Sequence, residues 1–318
     1  MSFSNRAKTL LVVATALATI FRGSAQSVSS PHASTSPDAA YVESFEKWKD
    51  SQVEDLKQNW LPLAGLFWLK PGRNSFGASP DSALIFASGP VHAGEFHLDD
   101  NGTAKNSKVT LKLLPGIQAG IAGKPVRDDT ILAPDTSGHP SVVDMGTLQF
   151  HVIVRGNRIG IRLKDTKSEA IKGFHGLAFY PLNLNYRVTA AWVRSDGKQT
   201  IDIPNVVGDI TAMPVSGTVH FKIDGHEVKL TDLGGDPSKS LFFVFNDTTA
   251  KVDTYPGGRF LETGPVLNGT VVLDFNRAYN PPCAVTPYAT CPLAPKENRL
   301  QVSIPAGEKF DKLAHAHH

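Results

Sequence analysis

Apolar residues recur at helical spacing in one segment near the N-terminus of the chain. Four of them would share one face of a helix that we predict over residues 38–58, namely Tyr41, Phe45, Trp48 and Leu56. Ser36 is a good N-cap for it, Pro37 suits the first helical position, and Asp38 favours the positive end of the helix. After this segment we predict no helix longer than about ten residues.

Beyond residue 61 the pattern changes to short alternating runs separated by turn residues. The clearest hairpin spans residues 151–164 around Gly156-Asn157, and a second spans 220–230 around Asp224-Gly225. The pattern therefore predicts a mainly β protein. We expect an antiparallel sandwich or partly open barrel with one N-terminal helix and a proline-rich, disulfide-closed C-terminal loop.

Turn-forming residues dominate between residues 127 and 140 and suggest a division of the β structure. We predict an N-terminal helix plus a β subdomain, a small sandwich in outline, over 37–130. A C-terminal β domain with the cysteine loop would occupy 141–312.

The first 25 residues have the layout of a secretory signal. Arg6 and Lys8 precede an apolar run over residues 10–21, and Gly23-Ser24-Ala25 supplies a cleavage site of small residues. The alternative is an uncleaved anchor, but the run falls short of the roughly 20 residues that span a bilayer. We predict a signal peptide over 1–25, a flexible leader over 26–36, and an exported protein, either periplasmic or secreted.

The composition is that of a folded domain, with 41% of the 318 residues hydrophobic and 19% charged. The 32 basic and 30 acidic side chains nearly balance, so we expect no nucleic acid as a partner. No apolar stretch after the signal approaches membrane length, so we expect no membrane partner after cleavage. The chain lacks a Gly-x-Ser-x-Gly elbow, a phosphate loop and a dinucleotide fingerprint, and no cofactor is predicted.

Cys283 and Cys291 are the only cysteines, with seven residues between them. Export to an oxidising compartment favours joining them, and we predict a structural disulfide. A redox-active pair and a metal-bound pair remain as alternatives, although a metal would need further ligands from elsewhere in the chain.

The segment around the cysteines concentrates polar and aromatic side chains on a stiff backbone. Five prolines between residues 281 and 295 favour an ordered loop over a sheet interior. Such a loop can hold several candidate ligand-binding residues in fixed orientations: Arg277, Asn280, Tyr288, Asn298 and Arg299. The alternative is a structural lid whose polar groups satisfy one another.

The hairpin over 151–164 carries a second set of candidates. Arg158, Arg162 and Lys164 alternate with apolar residues and would line one face of the strand. Because arginine binds carboxylate or phosphate through two parallel hydrogen bonds, Arg158 and Arg162 are candidates for an anionic-ligand site. A solvated face, or an ion pair with Asp165, is the alternative.

Other polar segments are weaker candidates. Glu95, His97 and Asp99 would share a strand face that suits a metal ion or, more simply, solvent, and we predict no metal site. His175 lies in a turn-like segment and is a candidate general base without a visible partner. The terminal histidines, up to His318, are best described as a frayed tail.

Several motifs resemble the domain of unknown function 1684 family, over about residues 40–310. The resemblance is most specific at 274–284 and 286–293, which read DFNRAYNPPCA and TPYATCPL. Shorter stretches extend it: GRFL at 258–261, ENRL at 297–300, AGEK at 306–309, GLFWL at 65–69 and RLKD at 162–165. The family has no established activity, so the resemblance implies an identity and no function.

Three hypotheses follow. In the first, the C-terminal loop and the basic hairpin form a pocket for a small polar or anionic ligand. In the second, a hydrolase-type enzyme uses the same loop, with Arg277 or Arg299 stabilising charge and Tyr288 donating a proton. The third is a purely structural envelope protein. Convergence of these three side chains beside an acid or a histidine would favour the enzyme.

Overall fold

The computed structural model describes residues 37–127 and 129–310, and its long helix α1 spans Ala39–Asp55. Asp38 is the N-cap, because its carboxylate accepts the Tyr41 backbone N–H at 2.7 Å. The helix therefore begins after Pro37, so the prediction of Pro37 at the first helical position is wrong. The predicted cap Ser36, like the predicted signal peptide and leader over 1–36, lies outside the described residues. A π-helical turn, Leu56–Trp60, follows directly, and no later helix of the described residues exceeds four residues, as predicted.

Nineteen strands follow these helical elements in the described residues. The first eleven are β1 (Leu63–Trp68), β2 (Gly72–Gly77), β3 (Leu84–Ile85), β4 (Gly94–Asp99), β5 (Lys108–Leu113), β6 (Gly120–Ile121), β7 (Lys124–Pro125), β8 (Thr130–Leu132), β9 (Val143–Met145), β10 (Leu148–Arg155) and β11 (Arg158–Asp165). The others are β12 (Arg187–Arg194), β13 (Thr200–Pro204), β14 (Ile210–Pro214), β15 (Gly217–Ile223), β16 (His226–Thr231), β17 (Phe242–Phe245), β18 (Arg259–Glu262) and β19 (Thr270–Asp274).

Short helical turns connect these strands. The α-helical turn α2 spans Glu169–Lys172. Six 3₁₀ turns occur in the described residues: Asp135–Ser137, Leu184–Tyr186, Thr248–Lys251, Phe275–Arg277, Pro282–Ala284 and Lys296–Asn298.

Two sheets enclose the first hydrophobic core. One has the strand order β1-β11-β10-β9-β6-β7, and the other has the order β3-β2-β4-β5-β8. Alternate residues of these strands point into the core, where a cluster of phenylalanines is completely or almost completely buried: Phe76, Phe86, Phe96 and Phe150. Their rings meet with centroids 4.5–6.0 Å apart, in stacked, tilted and edge-on contacts.

The second part of the chain builds smaller sheets around two further cores. A four-stranded sheet has the order β16-β15-β12-β19, and β13-β14 and β17-β18 form two-stranded pairs. Leu230, Phe243 and Phe275 belong to one core, whereas Val244 and Cys291 belong to the other. The loop of residues 275–310 covers these sheets and supplies residues to both cores.

The predicted fold class is confirmed: the described chain is mainly β, its sheets are largely antiparallel, and none closes into a barrel. Both predicted hairpins form, with Arg155 opposite Arg158 in one and Ile223 opposite His226 in the other. Strands β9–β11 follow the proposed boundary at 127–140 yet share a sheet with β1, so the first sandwich contains strands from both sides of it. The division into 37–130 and 141–312 stays a prediction.

Candidate functional site

The basic face of the β10–β11 hairpin points away from the first core. Ile159, Ile161 and Leu163 fill that core, so the alternate residues of β11, including Arg162, lie on the opposite face of the sheet. The register places Arg162 between His151 on β10 and Leu66 on β1. This face of the sheet therefore presents cationic side chains to the C-terminal half of the chain.

Thr290, in the cysteine loop, contacts two of these arginines. Its hydroxyl oxygen accepts hydrogen bonds from Arg155 Nε at 2.8 Å and from Arg162 Nη2 at 3.2 Å. The hairpin and the loop, which the sequence suggested as two parts of one site, thus meet at a threonine next to Cys291. Arg158 lies farther along the strand, where it pairs with Asp209 at 2.5 Å and covers the Trp68 ring with its guanidinium 4.2 Å from the centroid.

Arg162 differs from Arg155 and Arg158 because no described carboxylate lies within ion-pair distance of it. Arg155, in contrast, pairs with Asp135 at 2.6 Å. The Arg162 side chain is nearly inaccessible, with 8% of the residue exposed. Its Nε is buried without a hydrogen-bond partner among the described residues, and its guanidinium lies 6.0 Å from the Trp60 ring centroid.

The charge of Arg162 and the burial around it perturb the neighbouring titratable groups. Burial, followed by the charge of Arg155, lowers the pKa of Arg162 to about 10. Burial, followed by the charge of Arg162, lowers the pKa of His151 to about 4, so the imidazole is neutral near pH 7. The same two causes lower the pKa of Lys164, whose ammonium donates to the Gln58 carbonyl and to Asn59 Oδ1 at 3.3 Å each.

The two cysteines lie side by side as thiols, so the predicted disulfide is not confirmed. The Cys283 backbone N–H donates to Cys291 Sγ at 3.2 Å, and Tyr255 Oη lies 3.5 Å from Cys283 Sγ. Cys283 is half-buried at the 3₁₀ turn of residues 282–284, and Cys291 is buried. A hydrogen bond from Cys291 lowers the pKa of the Cys283 thiol, whereas donating that bond, together with burial, raises the pKa of Cys291.

Asn280 and Asn298, two of the predicted ligand-binding residues, hold the backbone together. The Asn298 side chain is fully buried, accepts the Thr231 N–H at 2.8 Å and donates to the Thr231 and Val244 carbonyls. Asn280 donates through its backbone and side-chain N–H groups to the Glu308 carboxyl at 2.8 and 2.9 Å. Burial raises the pKa of Glu308 to about 8. Both asparagines therefore link the loop to neighbouring backbone and side chains.

The three residues of the hydrolase hypothesis are not brought together in a described cavity. Arg277 lines a surface groove of about 480 Å³ beside α1, where it donates to Ser44 Oγ at 2.7 Å. Arg299 lines a different cavity of about 290 Å³ and donates to the Ala294 carbonyl. Tyr288 is half-buried and lines neither of these cavities.

The weaker candidates remain on the surface. His97 contacts Asp99 at 3.1 Å, and Glu95 pairs with Arg73 across the same sheet face. Within the described ranges, no group of three or more histidine, cysteine or acidic residues is placed to hold a metal ion. His175 is exposed, and the terminal histidines lie outside the described residues.

Sequence reasoning missed Arg155, Thr290 and Trp60, which complete the surroundings of Arg162. The alternation in 151–164 could have identified Arg155, because this residue ends β10 directly opposite Arg158 and therefore lies on the same face. Thr290 and Trp60 carry no such signal. Thr290 lies 128 positions from Arg162 in the chain and meets it only through the tertiary fold.

Residues 172–309 match the sequence profile of a family described as "Protein of unknown function (DUF1684)". The chain belongs to this family. The matched segment contains Thr290 and both cysteines, whereas the basic hairpin precedes it. An uncharacterized protein of Haloarcula marismortui, solved by solution NMR, is 32% identical; the match covers 45% of this chain and 81% of that one, with a TM-score of 0.38. A comparison with curated proteins gave no match.

Proposed function

We propose that this protein binds a small anionic ligand at Arg162, where the β10–β11 hairpin meets the cysteine loop, and that it does so after export. The observation that carries the proposal is a nearly buried guanidinium with no carboxylate partner among the described residues. Arg155 and Lys164 add positive charge on the same sheet face, and the nearby carboxylate of Asp135 is already paired with Arg155.

An anion would compensate a charge that the described protein leaves unbalanced. A buried charge without a partner costs several kcal/mol, whereas charge-assisted hydrogen bonds to a carboxylate or phosphate are among the strongest in proteins. Thr290 supports the same ligand class. Its oxygen accepts from two arginines, and its own hydroxyl proton has no acceptor among the described residues, so it can donate to an anion.

The decisive experiment compares anion-dependent stability in the wild type and in Arg162→Met, which keeps length and removes charge. Phosphate, sulfate and succinate are titrated against chloride at matched ionic strength while thermal unfolding is followed. An anion at about a hundred times its Kd should stabilise the wild type by about 2.7 kcal/mol. Arg162→Met should abolish the increase in stability that these anions give beyond that given by chloride.

Arg194→Gln is the matched control, because Arg194 is an exposed arginine at the end of β12. It should leave the anion response unchanged. Thr290→Val should weaken the response roughly tenfold in affinity, and Thr290→Ser should restore it. Equal anion responses in the wild type and Arg162→Met would refute the proposal. They would favour the purely structural role.

The second sequence hypothesis, hydrolysis at the C-terminal loop, receives no comparable support. It needs Arg277 or Arg299 beside Tyr288 in one cleft, but Tyr288 lines neither of the two cavities that these arginines line. Within the described residues, no helix is long and apolar enough to cross a membrane.

A further inference from the structure

We propose that Cys283 and Cys291 act as a dithiol couple that exchanges with a low-molecular-weight disulfide bearing a carboxylate. The inference rests on the proposed anion site, since Arg162 would hold the carboxylate while the thiols react with the sulfur atoms. Thr290 connects the two features: it binds Arg162 through its side chain and is the chain neighbour of Cys291. The charge of Arg162 also acts on Cys291, where it opposes the rise in the pKa of that thiol.

The two thiols occupy different environments, as an attacking and a resolving cysteine require. Cys283 is half-buried, whereas Cys291 is buried behind it with 6% of the residue exposed. The Cys283 sulfur receives a hydrogen bond from Tyr255 as well as one from Cys291. These donors stabilise a thiolate at Cys283, the form that attacks disulfides.

Tyr255 is suited to remain a donor to that sulfur. Burial, followed by its contact with Cys283, raises the pKa of the Tyr255 phenol, so the hydroxyl keeps its proton. Its ring packs against Phe310 with the centroids 5.0 Å apart, and its hydroxyl oxygen lies 3.5 Å from both the sulfur and the carbonyl oxygen of Cys283. Tyr255 is therefore a positioning residue for the Cys283 thiolate.

The exchange balances with the substrate disulfide as the oxidant. The Cys283 thiolate attacks one sulfur of the substrate, the substrate S–S bond breaks, and the departing thiolate takes up the proton that Cys283 released. The Cys291 thiol then loses its proton and attacks Cys283 in the mixed disulfide, which forms the Cys283–Cys291 bond. The second substrate thiolate leaves and takes up the Cys291 proton. One disulfide has been reduced to two thiols, and the cysteine pair has been oxidised.

The loop is held in place without a bond between the cysteines, which leaves the pair free to cycle. The Val206 N–H donates to the Cys291 carbonyl at 3.0 Å, and Asn205 bridges to Pro292 beside it. On the other side, the Ala284 N–H donates to the Pro281 carbonyl at 2.9 Å. The turn that carries Cys283 is attached just before it, because the Asn280 side chain donates to the Glu308 carboxyl and to the Lys309 carbonyl at 2.9 Å each. The segments that carry the two cysteines are therefore anchored without a bond between the sulfur atoms.

The test mixes the reduced protein with oxidised glutathione, which carries carboxylates, or with hydroxyethyl disulfide, which is neutral. Thiol titration and mass spectrometry follow the products. We expect the wild type to form the intramolecular disulfide. Cys291→Ser should accumulate a mixed disulfide at Cys283, and Cys283→Ser should react at least tenfold more slowly.

Charge selection is the second readout. The readout is the first step alone, mixed-disulfide formation at Cys283 in a Cys291→Ser background, because the charge of Arg162 also acts on Cys291. There, Arg162→Met should slow the reaction with oxidised glutathione roughly tenfold and leave that with hydroxyethyl disulfide unchanged, whereas Arg194→Gln should change neither. A pair that does not react, or Arg162→Met slowing both disulfides equally, would overturn the inference. The anion titration separates the two proposals. Phosphate binding at Arg162 without disulfide exchange would refute the dithiol couple and leave the anion site. Exchange without any Arg162-dependent anion binding would refute the anion site.

Discussion

At the scale of single residues, Arg259 is the informative counterpart of Arg162. Arg259 is 1% exposed, yet it lies 3.3 Å from Asp247 and donates to the Ile304 and Ala306 carbonyls. Asp247 in turn accepts from Thr249 and from the Ile304 N–H. Among the described residues, one guanidinium thus has a carboxylate and two carbonyl groups as partners, and the other donates to a single hydroxyl. The difference separates a structural arginine from a candidate binding arginine.

This contrast predicts opposite effects of the same substitution. Arg259→Met leaves Asp247 buried without its cation and should lower the free energy of unfolding by about 3–5 kcal/mol. Arg162→Met removes an uncompensated buried charge and should leave stability equal or higher in buffer without multivalent anions. Urea unfolding of both variants checks the pair. A comparable loss in Arg162→Met would identify Arg162 as a structural residue.

Glu308 predicts a dependence of stability on pH. Burial raises its pKa in the folded protein from 4.5 to about 8, so the folded state keeps the proton over a range where the unfolded state releases it. Its stabilising contribution is complete below pH 4.5 and is lost as the pH rises towards 8. Glu308→Gln should therefore flatten the decline in unfolding free energy between pH 5 and 8. An unchanged slope in urea unfolding would contradict the assignment.

At the scale of elements, the β10–β11 hairpin was predictable and its partners were not. Alternation and the turn at Gly156-Asn157 depend on neighbouring residues, so the local sequence identifies them. The contacts with Thr290 depend on the docking of a loop far along the chain, which carries no local pattern. The sequence predicts that the C-terminal loop is ordered and polar. It does not predict that Asn298 in this loop has a structural role, in which its side-chain amide hydrogen-bonds to the backbone of two strands.

The hairpin register predicts a measurable coupling between His151 and a bound anion. Arg162 lies directly opposite His151, and its charge, after burial, holds the pKa of the imidazole at about 4. Arg155 and Lys164 act in the same direction, and Asp135 acts against them. An anion at Arg162 should cancel part of this repulsion and raise the pKa of His151. NMR titration of the imidazole with and without phosphate measures it, with His151→Gln to assign the signal; equal values would contradict anion binding here.

At the scale of the whole molecule, three apolar cores stabilise the sheets, and a polar contact joins the first sandwich to the C-terminal loop. The alternation of short strands predicted a mainly β chain, but not which strands pair across long separations, such as β1 with β11. Thr290 and Asp209 meet the arginines of the hairpin at this junction. We therefore expect that ligand binding, or oxidation of the cysteines, at this junction changes the free energy of unfolding of the entire described chain.

The stability of the whole chain therefore distinguishes a structural disulfide from a working couple. A thermodynamic cycle links the free energy of unfolding to the reduction potential of the cysteine pair. If the disulfide stabilises the folded state, folding stabilises the disulfide by the same free energy, and the reduction potential becomes more negative. A structural bridge across so short a loop should add roughly 2–3 kcal/mol on the chain-entropy model. Since hydrogen bonds already anchor the segments that carry the two cysteines, we expect a smaller difference, below about 2 kcal/mol, between the oxidised and reduced proteins in urea unfolding. The double variant Cys283→Ser/Cys291→Ser, insensitive to reductant, is the control. A gain of about 2 kcal/mol or more on oxidation would place the pair with structural disulfides.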